Sequence, residues 1–332
     1  MSTVAPSSGV KLFRIATLLV VGGGLIYAVW TLTSTMSLST TTAEAGSISK
    51  ILEAAANGNV ALLERELKNG ADKETKQLFV ASEAGMTPIM YAARFGNADA
   101  VKLLLDRAAN VNASAADGRT ALMYAAMGDE STVVKKLIDA KANVNARAED
   151  GWTALMLASA RGSAETVRAL LAAGADVNQR NRWRLTPLMV AARGGDLEKV
   201  KALLASGASV DDTDADGNSA LNSAVQGSDN SAIITLLLSS GSKPNVADVE
   251  GVTPLMRAAE RGNADLARAL LERGADASLK DRRGWRALEW ANNRGDDYGR
   301  AIADLLTKGV PPAAPVPAAP SPAPAPGGAE PK

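Results

Sequence analysis

Residues 186–208 read TPLMVAARGGDLEKVKALLASGA, and close copies of this stretch recur along a chain of 332 residues. The residues that open the copies, Thr87, Thr120, Thr153, Thr186, Ser219, Thr253 and Arg286, follow one another at intervals of 33, 33, 33, 33, 34 and 33. So regular a period marks a repeat architecture and overrides the domain count that length alone would suggest. Within each copy a short helical segment, as at 121–126 or 188–193, is followed by a break at Gly or a polar pair and then by a second helix. That second helix carries apolar residues at i, i+3 and i+4: Val101/Leu104/Leu105, Val134/Leu137/Ile138, Val167/Leu170/Leu171, Val200/Leu203/Leu204, Ile234/Leu237/Leu238 and Ile302/Leu305/Leu306. Such a stripe is the buried face of a packed helix. Gly70, Gly174, Gly207, Gly241 and Gly274 end it where a left-handed residue is needed. Ala108 and Lys141 hold that place in two copies, which predicts two slightly less stable turns.

The pattern "TPLM.AAR.G" followed by "V..LL..GADVN" resembles the ankyrin repeat, whose units open on T-P-L-H. The resemblance covers residues 48–309, about eight units with degenerate ends. It implies an all-α solenoid of stacked helix-turn-helix units with short β-hairpin loops, binding another protein along a concave surface of hairpin tips and first-helix faces. One departure is systematic: the family's His is Met at Met90, Met123, Met156, Met189 and Met256, Asn at Asn222 and Glu at Glu289. In the family that His ties neighbouring loops by hydrogen bonds, so its replacement implies packing by an adaptable thioether instead. Residues 48–70 keep the helix pair without T-P-L and read as the N-terminal cap. Residues 285–309 carry extra charge and close the other end, as a stack of nearest-neighbour units requires.

Composition narrows the chemistry. Lys plus Arg and Asp plus Glu number 36 each, and there is no His and no Cys. Balanced charge gives no pull toward nucleic acid. Without imidazole or thiolate, most nucleophile, general-base and metal-site templates are closed. No catalytic residue, metal or cofactor is expected. Two look-alikes stand in the sequence. Residues 211–217, DDTDADG, begin like a calcium loop with Asp212, Asp214, Asp216 and Gly217 in register, but Ser223 occupies the place of the bidentate Glu. Ser47-Ile48-Ser49-Lys50 and Ser228-Asp229-Asn230 copy two β-lactamase-type motifs, while the third, K-T-G, is missing. A calcium-dependent or hydrolytic module on the hairpin tips is therefore the alternative function, and a passive envelope spacer the third.

Residues 15–32, IATLLVVGGGLIYAVWTL, are 18 uncharged residues preceded by Lys11 and Arg14. At about 1.5 Å per residue a helix of that length nearly spans the hydrocarbon core. Tyr27 and Trp30 near its end suit the headgroup region. A single transmembrane anchor is expected. Lys11 and Arg14 are the only cations before Lys50, so residues 1–14 stay cytoplasmic and the remainder is exported, in a bacterium to the periplasm. The alternative is a secretory signal cleaved after Ala45, at Ala43-Glu44-Ala45. Residues 33–47, rich in Ser, Thr and Ala, read as a flexible tether, and residues 310–332, alternating Pro and Ala, as an extended, disordered tail.

On the concave surface that the resemblance implies stand the residues before each opening Thr: Met86, Arg119, Trp152, Leu185, Asn218, Val252 and Trp285, with Trp183 two places upstream of Leu185. Trp is costly to leave in water and often anchors interfaces, so Trp152, Trp183 and Trp285 are candidate partner anchors, with Arg119 among them. The competing reading lays each ring on its neighbouring repeat. At the end of the first helix come Arg94 with Phe95, Arg161, Arg193, Arg261 and Arg294. Stacked at the repeat spacing they would form a cationic ladder for carboxylates or phosphates. A cation there is also favoured by the helix dipole alone.

Overall fold

The computed structural model describes residues 16–19, 27–30, 50–74, 84–227 and 231–308, the first two stretches by their backbone only. The chain divides into two units, Met1–Ser47 and Ile48–Lys332. In the first, β1 (Ala16–Leu19) pairs antiparallel with β2 (Tyr27–Trp30), Ala16 opposite Trp30 and Leu19 opposite Tyr27. The described backbone of the apolar run is thus extended where a transmembrane helix is expected. Thr17, Tyr27, Val29 and Trp30 suit a pleated strand, and three glycines at 22–24 weaken a helix through the middle. No helix among the described residues is long and apolar enough to cross a membrane. The cytoplasmic N-terminus, the cleavage site, the tether, the tail and all of the hydrolase-like motifs except Lys50 lie outside the described residues.

The second unit is a series of helix pairs: α1 (Lys50–Ala56) with α2 (Val60–Lys68), α3 (Pro88–Arg94) with α4 (Ala98–Asp106), α5 (Ala121–Gly128) with α6 (Ser131–Asp139), and α7 (Ala154–Arg161) with α8 (Ala164–Ala172). Then come α9 (Pro187–Gly194) with α10 (Leu197–Ala205), α11 (Ala220–Gln226) with α12 (Ser231–Ser239), α13 (Pro254–Arg261) with α14 (Ala264–Glu272), and α15 (Ala287–Arg294) with α16 (Asp297–Lys308). The all-α solenoid and its degenerate first pair are as the sequence implies. Between Lys50 and Lys308 no strand occurs among the described residues; one isolated bridge joins Ser114 to Thr120.

Local chemistry sets the helix ends. Thr153, Thr186, Ser219 and Thr253 hold extended backbone at the N-cap, and each side-chain oxygen accepts the N–H three residues on, at 3.2–3.3 Å. Pro88, Pro187 and Pro254 follow at the first helical position, where a missing N–H costs nothing. The second helices end on a paired backbone motif: the N–H of Ala175 bonds the Leu170 carbonyl and that of Gly174 the Leu171 carbonyl, both at 3.0 Å. Ala108 and Lys141 make the same turn at φ 57° and 66°, the left-handed conformation that disfavours any side chain.

Consecutive first helices pack on one another throughout, and so do consecutive second helices except α12 and α14, between which packing is slight. Val101 with Leu104, Val134 with Leu137, Val167 with Leu170 and Val200 with Leu203 are fully buried. The outer member of each stripe, Leu105, Ile138, Leu171 or Leu204, is half-buried. Two side-chain devices align the loops. Asn112, Asn145, Asn178 and Asn245 each accept a backbone N–H of the next repeat at 2.7–2.8 Å. The five Met residues at the family's His place are buried, and the sulfurs of Met90 and Met256 accept the N–H of Thr87 and Thr253 at 3.5 and 3.4 Å. Asn222 keeps a tie between repeats, its Nδ2 donating to the Val246 carbonyl at 3.1 Å.

Candidate partner-binding surface

The hairpin that precedes each first helix from α5 to α15 is closed by a bond from its first N–H to the carbonyl just before the N-cap, as in Ala148 to Trp152, 2.9 Å. Successive hairpins are laced together by Glu149 N–H to Asp117 O, Arg182 to Asp150, Ala215 to Trp183, Val249 to Asp216 and Arg282 to Glu250, at 2.8–3.0 Å. Beside this ladder runs the fourth residue after each N-cap: Tyr91, Tyr124, Leu157, Val190, Ser223, Arg257 and Trp290. Its later members show that the row faces the hairpins. Arg257 donates to Asp248 at 3.0 Å, and the Trp290 indole N–H to Asp281 at 3.1 Å. The angle between ladder and first helices is the strip a partner would enter.

Trp152, Trp183 and Trp285 are all half-buried on it. Trp152 packs against the core. Trp183 stands at a hairpin tip with the Arg182 guanidinium 6.0 Å from its ring, and the next residue, Arg184, takes φ 61° where the other hairpins place Gly. Trp285 meets Trp290 edge to face at 6.0 Å and 84°. Arg119 bridges two hairpins, bonding Asp117 at 2.9 Å and Asp150 at 3.5 Å.

The arginines form two rows rather than one ladder. Arg94 and Arg193 are seventh after the N-cap, whereas Arg161, Arg261 and Arg294 are eighth, and one residue turns a helix by about 100°. In the first row Arg94 packs 5.6 Å from the Phe95 ring, which is 52% exposed, and Arg193 bonds Gln226 at 3.4 Å. In the second row Arg261 donates to the Val225 and Gln226 carbonyls at 2.9 and 2.6 Å, and Arg294 to the Glu260 carbonyl and to Asp296. Those two cations cap the helix of the preceding repeat, where dipole and unpaired carbonyls both favour them. Arg161 is exposed.

A cluster that the sequence pattern does not single out lies at the C-terminal end. The Arg283 guanidinium sits 4.5 Å from the Trp285 ring and 4.3 Å from that of Trp290, and Arg257 lies 5.9 Å from Trp290. Asp281, almost wholly buried, accepts from the backbone of Arg283 and Trp285 and from the side chains of Arg283 and Trp290. Burial raises its pKa, but these bonds, led by the Trp285 N–H, leave it below the ordinary carboxylate value. The available signal was spacing: Asp214, Asp248 and Asp281 open three successive hairpins.

The calcium-like carboxylates go separate ways. Asp212 pairs with Arg180, while Asp214 accepts the N–H groups of Asp216 and Asn218 within its own hairpin. Among the described residues no three His, Cys, Asp or Glu side chains could hold a metal ion.

Stacked helix pairs with a laced row of hairpins and a side-chain strip along it define a repeat solenoid built to present a surface. A family model for ankyrin repeats (3 copies) matches residues 51–148, 112–181, 155–248 and 221–310, and the chain belongs to that family. No curated protein matches the chain. Ankyrin-repeat domains are typically non-catalytic modules that mediate binding to other proteins.

Proposed function

We propose that the chain is a non-enzymatic scaffold, exported and tethered at the inner membrane, which seats a segment of another protein in its concave strip. The observation that carries this reading is the collection of half-buried Trp152, Leu185, Val190 and Trp183 and exposed Phe95 along one side of a rigid stack. A large ring fixed by its repeat loses little entropy on binding and gains by leaving water. The placement outside the cytoplasm rests on the uncharged run at 15–32 behind Lys11 and Arg14. An open strand pair would leave backbone groups unpaired in a bilayer, so the inserted form of this run is a helix. The alternative, cleavage after Ala45, releases the same domain into the same compartment.

The test is photocrosslinking in the native envelope with Trp152→benzoylphenylalanine. A discrete adduct is expected that disappears when Trp183→Ala and Phe95→Ala are added. Adducts unchanged by those substitutions, or equal to those from Lys102 on the outer helix, would overturn the surface. An alkaline phosphatase fused after Lys332 that stays inactive, its disulfides unformed in a reducing cytoplasm, would overturn the location.

A further inference from the structure

The hairpin ladder ends on an open flank. The carbonyls of Ala84, Asp117, Asp150, Trp183, Asp216 and Glu250 each accept an N–H of the following hairpin at 2.8–3.0 Å. Arg283 holds the next such place, and among the described residues no hairpin N–H takes its carbonyl. A Cβ on Gly85, Gly118, Gly151, Gly217 or Gly251 would meet the neighbouring hairpin's backbone at 2.8–3.1 Å, whereas one on Gly284 meets nothing within 4 Å. The same terminal repeat carries Trp285 and Trp290, with the Arg283 guanidinium packed on both rings. Asp281 holds Trp290 and Arg283 in place, while the indole N–H of Trp285 has no partner among the described residues.

The chain itself supplies an occupant. The connection between α15 and α16 is Gly295 and Asp296, so α16 runs back along α15. At about 1.5 Å per residue, the 12 residues of α16 outreach the 8 of α15, so α16 ends, at Lys308, toward the hairpin side. Residues 310–332 then read VPPAAPVPAAPSPAPAPGGAEPK. A polyproline II segment rises about 3.1 Å per residue, so about three or four residues cross the ~10 Å width of a helix to the Trp pair. The chemistry is complementary. Proline rings pack on indole faces, the segment's carbonyls can accept from an indole N–H, and its restricted backbone loses little entropy on docking. Its alanines retain the N–H that the Arg283 carbonyl can take, and only Glu330 and Lys332 are charged.

We propose that residues 310–332 fold back onto the open flank of their own terminal repeat, docking on Trp285 and Trp290 as the last layer of the stack. This goes beyond the partner reading and does not depend on it, although the tail then occupies one of that surface's anchors and a partner reaching Trp285 has to displace it.

The experiment uses the full chain in detergent with Ala318→benzoylphenylalanine. Irradiation is expected to give adducts at monomer mass that join the tail to the segment containing Trp285 and Trp290. They should be lost when the tail prolines are replaced by serine. As a second measurement, acrylamide quenching of tryptophan fluorescence should rise when residues 310–332 are exchanged for a Gly/Ser sequence of equal length. Adducts found only in dimers assign the flank to a second copy's tail and overturn the proposal, as do adducts elsewhere on the stack or unchanged quenching. Loss of the envelope partner with these adducts intact would sink the scaffold reading alone.

Discussion

From α3 to α10 Met fills the family's His place throughout, while from α11 onward Asn222 and the helix-end arginines add polar ties to the Asn bonds that link loops in both regions. In the first region Met90, Met123, Met156 and Met189 fill the place of a side chain that could have bonded across. In the second, Asn222 reaches Val246, Arg261 reaches Val225 and Gln226, and Arg294 reaches Glu260. The groove changes in step: Tyr91, Tyr124, Leu157 and Val190 give way to Ser223, Arg257 and Trp290. A stack can mix the two because each joint answers only to its neighbours. Apolar joints gain from area and tolerate sliding; polar joints rest on a few directional bonds that fix register.

That contrast can be broken most directly in the apolar region. Met156→Ala should cost about 3 kcal/mol by opening a cavity, and Met156→Leu less than about 1.5 kcal/mol because volume is conserved. Urea unfolding of both variants measures this, and equal losses would mean that the thioether is used for something other than packing. At the first polar joint Asn222→Leu should cost about 2 kcal/mol, because it strips partners from the buried Ser219 hydroxyl and the Val246 carbonyl. Since α12 and α14 barely support that joint, the loss should appear as separate unfolding of α13–α16, seen as faster amide exchange there than in α3–α10. Uniform exchange would erase the distinction between the regions.

The period, the paired helices and the glycine turns were legible because each follows from contacts inside one unit. The buried stripe Val167/Leu170 and the turn at Gly174 need no knowledge of the neighbour. Side chains that act between repeats were harder to read. Counting arginines from the helix end merged two rows that differ by one residue, and only the structure shows Arg261 and Arg294 turned onto the preceding helix. Trp290 went unread because its position comes after the motif rather than opening it, and its partner Asp281 lies nine residues away. Slight packing between α12 and α14 coincides with the single 34-residue interval, the one irregularity the spacing displayed.

Arg184, in the hairpin before α9, offers a smaller, opposite effect. Its φ of 61° places a side chain where equivalent hairpins use Gly, and left-handed backbone costs a residue with a Cβ about 1 kcal/mol or more. Glycine returns part of that through the greater freedom of the unfolded chain, so Arg184→Gly should stabilise by about 0.5 kcal/mol. Lys141→Gly, at φ 66°, should behave alike. Thermal melts that fall after either change would show that the native side chain supplies contacts worth more than the strain.

The smallest effect concerns the capping pair of the last repeat and depends on pH. Glu289 accepts from the Arg286 guanidinium at 2.6 Å and from the Arg286 backbone N–H at 2.8 Å, and these bonds, the side-chain ones first, lower its pKa from 4.5 to about 2. A carboxyl whose folded pKa lies below its unfolded one stabilises the fold fully above about 4.5 and loses that contribution as pH falls toward 2. Asp281 and Asp296 in the same repeat are also held below their ordinary value and act in the same direction. The pair is partly open to solvent, so screening keeps its contribution at neutral pH small. Glu289→Gln should therefore change little at pH 7 but flatten part of the stability loss between pH 4.5 and 2, read by urea unfolding across that range. Asn222, uncharged, provides the contrast: Asn222→Leu should shift stability by the same amount at every pH, and a pH-dependent shift there would mean that the joint is held by charge after all.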